Sequence, residues 1–332
     1  MKPWFASING WIVATMTLAL LVIVVGAFTR LTDAGLGCPD WPGCYGYATP
    51  IQAKANQAVA EARFPERPLE VAKAWAEMGH RYIASILGLL IIIIAVKSWS
   101  TPQRGHGLAL FALVLFQGAL GMWTVTLNLM PVIVMGHLLG GFSLFCLLGL
   151  LWLRRQSLPR LGFLGSRLAV VALLALVVQI ALGGWTSANY AALACTEFPL
   201  CEPGWQERLD FAAGFQPIQP PAHSYEFGTL DWAARMTIHV SHRIWAVVTA
   251  LLLLTLAFKL WRHQRQLAGA LALLTLVQVG LGLANVVWQL PLAIAVAHNG
   301  VAALLLLTTV AVNYRIWVSV SETSAQLKEA EC

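Results

Sequence analysis

The sequence predicts an all-α polytopic membrane protein, with eight transmembrane helices forming two tandem four-helix bundles related by a pseudo-twofold axis. Three observations carry that expectation. Of 332 residues, 58% are hydrophobic and only 11% are charged, a balance far from that of soluble domains. Eight runs approach the roughly 20 apolar residues that a helical crossing needs: 11–29, 78–97, 106–127, 131–153, 167–187, 236–259, 267–288 and 292–316. The two halves also repeat each other at separations of 157 to 162 residues.

The first run follows Lys2, as a signal peptide would, but it is too long and lacks a small-residue cleavage site, so it reads as a retained helix. Basic residues gather after the second run (Lys97, Arg104), the fourth (Arg154, Arg155, Arg160, Arg167) and the sixth (Lys259, Arg262, Arg265), with Lys2, Arg315 and Lys328 at the termini. This is the positive-inside pattern of a bacterial-type inner membrane protein with both termini cytoplasmic. The net charge of +6 therefore sets topology and gives no reason to expect nucleic acid. Two long segments, 30–77 and 188–235, fall on the outer, periplasmic face. Pro131 and Pro291 start helices. Gly118, Gly121, Gly140, Gly141, Gly280 and Gly282 suit close helix packing.

The repeat is read from matched strings. "GAFTRLTDAGLGCPDWPGC" aligns with "LGGWTSANYAALACTEFPLC": Thr29 precedes Cys38 as Thr186 precedes Cys195, and Cys44 and Cys201 each follow six residues later. Gln117 and His137 are spaced as Gln278 and His298, and the "HR" at His80 pairs with that at His242. Each half thus holds four helices in one order, and an even number of crossings makes the repeat parallel. The division predicted is 1–155 and 156–332.

"GCPDWPGC" alone leaves a metal site, a redox-active pair and a structural staple open. Its twin "ACTEFPLC" and the oxidising outer compartment favour one disulfide per loop, Cys38–Cys44 and Cys195–Cys201, with redox coupling at the first pair still open. Cys146 reads as packing, and Cys332 is a tail residue.

Of eight histidines, His106 and His263 at cytoplasmic helix ends and His223 in an outer loop are expected to be solvated. His80, His137, His242 and His298 all lie on helices and form two equivalent pairs. Ionisable groups inside membrane helices are costly and mark function. Two imidazoles facing each other from parallel helices make an axial ligand pair for haem iron; zinc or copper would want more donors per half. Arg81 and Arg243 follow the first histidine of each pair and suit haem propionates. Arg30 would assist in one half only, since its repeat position is Ser187. The halves differ three residues before that histidine, with Glu77 in the first and His239 in the second. Glu77 can relay protons or stabilise positive charge at a haem edge, which suggests chemistry in the first half and electron transfer in the second. His239 remains an alternative ligand to His242.

"TRLTDAGLGCPDWPGC", "EMGHR", "GGWTSANYAALACTEFPLC", the "HR" at 242–243 and the late "AHNG" closely resemble the haem A synthase family of terminal-oxidase assembly, from Gly26 to about Gly300. The resemblance implies oxidation of the C8 methyl of haem O to a formyl group, giving haem A. It implies haem O held between His80 and His137 with Glu77 catalytic, and a haem b cofactor between His242 and His298. It also suggests contact with haem O synthase, with cytochrome oxidase assembly factors and with an unidentified electron donor, besides membrane lipid. Some family members lack a cysteine pair, which argues against universally catalytic thiols. Rival readings are a diheme b-type electron-transfer protein, a quinone-linked periplasmic thiol oxidase and a transporter. The first is disfavoured by all four histidines lying near one face, the second by the buried histidines, and the third by the missing mid-membrane helix breaks.

Overall fold

The computed structural model describes residues 8–157, 166–199 and 201–330. Lys2, Arg160, Cys332 and the side chain of Lys328 lie outside the described residues. The long helices are α1 (Ile8–Leu31), α4 (Val71–Ser98), α5 (Arg104–Thr126), α6 (Pro131–Leu153), α7 (Ser166–Ala188), α9 (Trp232–Leu260), α10 (Arg265–Val287) and α11 (Leu292–Ala330). Between them lie the short α2 (Pro50–Ala55), α3 (Gln57–Arg63) and α8 (Phe211–Gly214), and a 3-10 turn at Trp205–Arg208. The chain is all-helical, with no strand among the described residues. Eight helices are long and apolar enough to cross a membrane, so the protein is a multi-pass membrane protein.

Local chemistry sets the helix starts. The carboxylates of Asp231 and Asp210 accept from the backbone N–H of Ala234 and Ala213, N-caps that satisfy donors a helix cannot reach itself. Pro131 occupies the first turn of α6, where its missing N–H costs nothing. Within the spans, Thr15, Thr186, Thr275 and Thr309 turn their hydroxyls onto the carbonyl four residues back, which satisfies them internally where lipid offers no partner.

Two helices start earlier than the apolar runs suggest: α4 at Val71 and α9 at Trp232. Their first turns carry polar residues, which a hydropathy reading cuts off, but they are held by packing. Ala74 and Met78 are buried against Cys38, Cys44 and Tyr45, and Met236 and Val240 against Ala194 and Cys195. Glu77 therefore lies in the second turn of α4 and not at a helix start.

In the first half α1, α4, α5 and α6 pack as a ring, each touching the next, and α7, α9, α10 and α11 do the same in the second. Across the halves, α1 meets α11, α6 meets α7, and α6 meets α11. One core of Leu, Ile, Ala and Phe runs through both rings, including Ile91, Phe145, Leu148, Leu253 and Leu256. The irregular backbone recurs at the repeat spacing: positive φ at Asp33 and Tyr190, at Asn128 and Gln289, and at Leu129 and Leu290.

One histidine departs from expectation. His106 is buried, with Nε2 at 2.8 Å from the Leu147 carbonyl and Nδ1 at 3.4 Å from Arg154. It ties the start of α5 to the end of α6 and is not solvated; a buried imidazole needs such partners. His223 and His263 are exposed.

Candidate functional site

Each disulfide loop is laid onto the outer turns of a histidine-bearing helix. Cys38 and Cys44 are disulfide-bonded, as are Cys195 and Cys201. In the first half the loop comes close because residue 37 is glycine: a Cβ there would lie 2.5 Å from the Lys73 carbonyl carbon and oxygen. That approach lets the Cys38 N–H donate to Glu77 Oε2 at 2.7 Å. The other carboxylate oxygen receives Arg81 Nη2 in a buried ion pair. Arg81 Nη1 then donates to the carbonyls of Asp40 (3.1 Å), Pro42 (3.2 Å) and Gly43 (2.6 Å). Asp40 tightens the turn further by accepting from the N–H groups of Tyr45 and Gly46. Glu77 is thus clamped between a loop N–H and a guanidinium.

The second half repeats the plan with an imidazole in place of the carboxylate. Arg243 donates to the carbonyls of Cys195 (2.5 Å) and Glu197 (2.8 Å), and its Nε to His239 Nε2 (3.1 Å). Both arginines singled out as propionate partners therefore brace a disulfide loop in this structure. Arg30 does something else: Nη2 donates to the carbonyl of Ser187, its own repeat counterpart, at 2.6 Å, and the guanidinium lies 3.9 Å over the Tyr190 ring. A serine at the matching position leaves room for one arginine between the halves. The two long interhelical segments are clasped as well, through Arg67 to Glu226 (2.9 Å) and Ser224 (3.3 Å) and from Tyr225 N–H to the Asn128 carbonyl (3.0 Å).

The structure brings the first histidine pair together: the His80 and His137 ring centres are 6.4 Å apart, with their planes at 79°. That separation would suit two metal–imidazole bonds of about 2 Å each. Every ring of the four rests on a glycine of a neighbouring helix. Added Cβ atoms would meet His80 at 2.9 Å from Gly26, His137 at 3.4 Å from Gly121, His242 at 3.1 Å from Gly183 and His298 at 3.3 Å from Gly282. His137 Nδ1 and His298 Nδ1 are buried without a hydrogen-bond partner, an arrangement a folded protein rarely leaves unexplained. The paired imidazoles of His80 and His137, the unpartnered ring nitrogens and the absence of an unbonded thiolate in the described loops fit a bis-histidine haem. His242 rests on Gly183 with Gln179 beside it, whereas His239 accepts from Arg243 at Nε2 and has its Nδ1 buried without a hydrogen-bond partner.

Sequence reading missed Gly26, Gly183 and Gln179. The signal for the glycines was present, since Gly26 and Gly183 stand 157 residues apart, the spacing of the cysteine pairs. It also missed an outer cavity of about 230 Å³ lined by Asp33, Gly37, Tyr45, Arg67, Lys73 and Glu226. There the buried Tyr45 phenol donates to the Pro68 carbonyl at 3.1 Å, and burial pushes its pKa up to about 12.

The profile of a family described as cytochrome oxidase assembly protein matches residues 9–310. The "Heme A synthase" of Shewanella oneidensis is 53% identical over 321 residues, covering 93% of this chain and 97% of the relative. Those of Erythrobacter litoralis and Rhizorhabdus wittichii are 30% and 28% identical over 90% of the chain, covering 93% and 91% of their own lengths. The chain therefore belongs to the COX15-CtaA family of cytochrome oxidase assembly proteins.

Proposed function

We propose that this protein is a haem A synthase, an oxidoreductase that converts the C8 methyl of haem O to the formyl group of haem A. The observation that carries the reading is Glu77: a carboxylate one turn from His80, fixed by two donors, in a half whose counterpart has only His239 in that place. His80 and His137 would hold the substrate, and His242 and His298 a haem b cofactor, with His239 outside the ligand set. Haem b, when bound, supplies a one-electron relay. Residues 1–155 then form the substrate bundle and 156–332 the electron-transfer bundle, related by a pseudo-twofold axis. The exchange of contacts supports this, since α1 meets α11 as α7 meets α6.

The chain's own residues have three tasks. The histidine rings, seated on glycines, orient the flat ligands. The disulfide loop covers the outer end of the site and excludes water. Glu77, paired with Arg81 and oriented by the Cys38 N–H, is placed to stabilise positive charge developing at the substrate edge and to accept a proton there. The site lies toward the periplasmic side of an inner membrane, with both termini cytoplasmic and the cysteine loops outside. Haem O and haem A are the substrate and product, lipid surrounds the protein, and haem O synthase, assembly factors and an electron donor are its expected partners.

The matched histidine pairs also suit the second reading, a diheme b-type electron-transfer protein. Reduced-minus-oxidised spectra and chromatography of extracted pigments separate the two. Haem b together with haem O or haem A supports the synthase, and Glu77→Gln keeps bound haem while stopping haem A formation. Haem b alone in both halves supports electron transfer, and absence of haem rejects both.

A further inference from the structure

One amide of the first bundle is buried with nothing to bind. The side-chain nitrogen of Gln117, on α5, has no hydrogen-bond partner, and the residue is only 7% exposed. A buried donor left unpaired is costly and calls for an explanation. Gly121, one turn nearer the C-terminal end of α5, is the glycine on which the His137 ring rests. The Gln117 amide lies against Gly140 of α6, so closely that a Cβ there would fall onto it. Gly140 and Gly141 follow His137 by three and four residues, which puts them on its helix face, one turn farther from the disulfide loops. A Cβ on Gly141 would meet nothing within 4 Å, and neither would one on Gly118 beside Gln117. One turn below the histidine pair the first bundle thus offers open space and an unpaired amide.

The second bundle fills the same layer. The repeat positions of Gly118, Gly140 and Gly141 are Val279, Val301 and Ala302. Side chains therefore stand where the first bundle has none, and Ala302 is packed into the common core at 8% exposure. Gln278, the counterpart of Gln117, has its amide nitrogen 3.1 Å from His298 Nε2. The room beneath the first pair is a departure from the repeat.

Haem chemistry supplies an occupant. Both propionates lie on one edge of the ring, and charge inside a bilayer is costly, so that edge faces the disulfide loops and the opposite edge faces this layer. Haem O and protohaem differ at that opposite edge. Protohaem carries a vinyl group there, and haem O a long isoprenoid chain joined through a carbon that bears a hydroxyl. We propose that the first bundle recognises its substrate by this chain, with the Gln117 amide hydrogen-bonding the hydroxyl and Gly140 and Gly141 leaving the chain its room. A hydroxyl both donates and accepts, so either end of the amide serves it. Val301 and Ala302 deny the second bundle that room, which suits a haem without the chain. The proposal rests on the synthase reading above and adds how the protein tells its substrate haem from its resident one.

The test measures binding, not turnover, on the full chain in detergent. In a His242→Ala/His298→Ala background only the first pair is left, and Soret titration gives Kd for haem O and for protohaem. Haem O is expected to bind more tightly. Gln117→Leu should weaken haem O by about 2–10-fold, the worth of one hydrogen bond, and leave protohaem unchanged. Gly141→Val, which fills open space, should weaken haem O by a comparable factor and spare protohaem, and it keeps the test decisive if Gln117→Leu does not fold. A loss of equal size for the two haems marks a packing role and overturns the proposal, leaving the synthase reading standing. So does a haem O affinity that neither substitution changes. Binding of neither haem in this background overturns the synthase reading itself, and the proposal with it.

Discussion

Replacing Arg81 by alanine separates two roles for the same guanidinium. In the structure Arg81 holds Glu77 and three loop carbonyls at once, with side-chain exposures of 14% for Arg81 and 6% for Glu77. Removing one member of a buried ion pair costs about 3–5 kcal/mol, because the other charge stays buried and uncompensated. The loop carbonyls add less, since they lie near the protein surface and recover water. Over 332 residues the unfolding entropy is about 0.7 kcal/mol/K, or roughly 1.4 °C per kcal/mol, so the midpoint of thermal unfolding should fall by about 5 °C. The drop should appear in haem-free protein, where no propionate is present. Arg81→Lys should recover part of it, because one ammonium cannot span Glu77 and Gly43 as the planar fork does. The assay is thermal unfolding in detergent, with and without protohaem. A normal midpoint in haem-free Arg81→Ala, with destabilisation only in the loaded protein, would refute the bracing role and return Arg81 to propionate binding.

Further outcomes follow from the same contacts. Gly26→Ala and Gly183→Ala place a Cβ within about 3 Å of a histidine ring and should shift the haem absorption bands, whereas Gly118→Ala and Gly280→Ala, with nothing within 4 Å, should not. Cys38→Ser/Cys44→Ser opens a loop of sequence separation 6, worth about 2 kcal/mol. It frees the N–H that holds Glu77, so haem A yield should fall more than haem content; Cys195→Ser/Cys201→Ser should lower stability with a smaller effect on yield. For Tyr45, whose pKa is raised from 10.0 to about 12, the protonated phenol is the form the fold holds. Its contribution is complete below about pH 10 and is lost as pH rises through about 12, so Tyr45→Phe should flatten the unfolding midpoint over that window.

The eight crossings were legible because apolar length is a direct consequence of bilayer thickness. The approach of His80 to His137 was legible because duplication separates patterned residues from scattered ones. The outer turns of α4 and α9 were not, since Lys73, Glu77 and Arg235 break the hydropathy signal while loop packing keeps the helix. Arg81 and Arg243 were singled out for propionates, but besides Glu77 and His239 they hold backbone carbonyls, which carry no sequence signature. His106 was misjudged for the same reason: its partner is the Leu147 carbonyl.

The central claim is that chemistry belongs to the first histidine pair and electron relay to the second. Pigment analysis of two purified variants tests it most directly. His80→Ala/His137→Ala should retain haem b and contain neither haem O nor haem A. His242→Ala/His298→Ala should accumulate haem O, unconverted, in the first half. Haem A recovered from the first variant, or haem b lost from it while haem O persists, would contradict the assignment of the two halves.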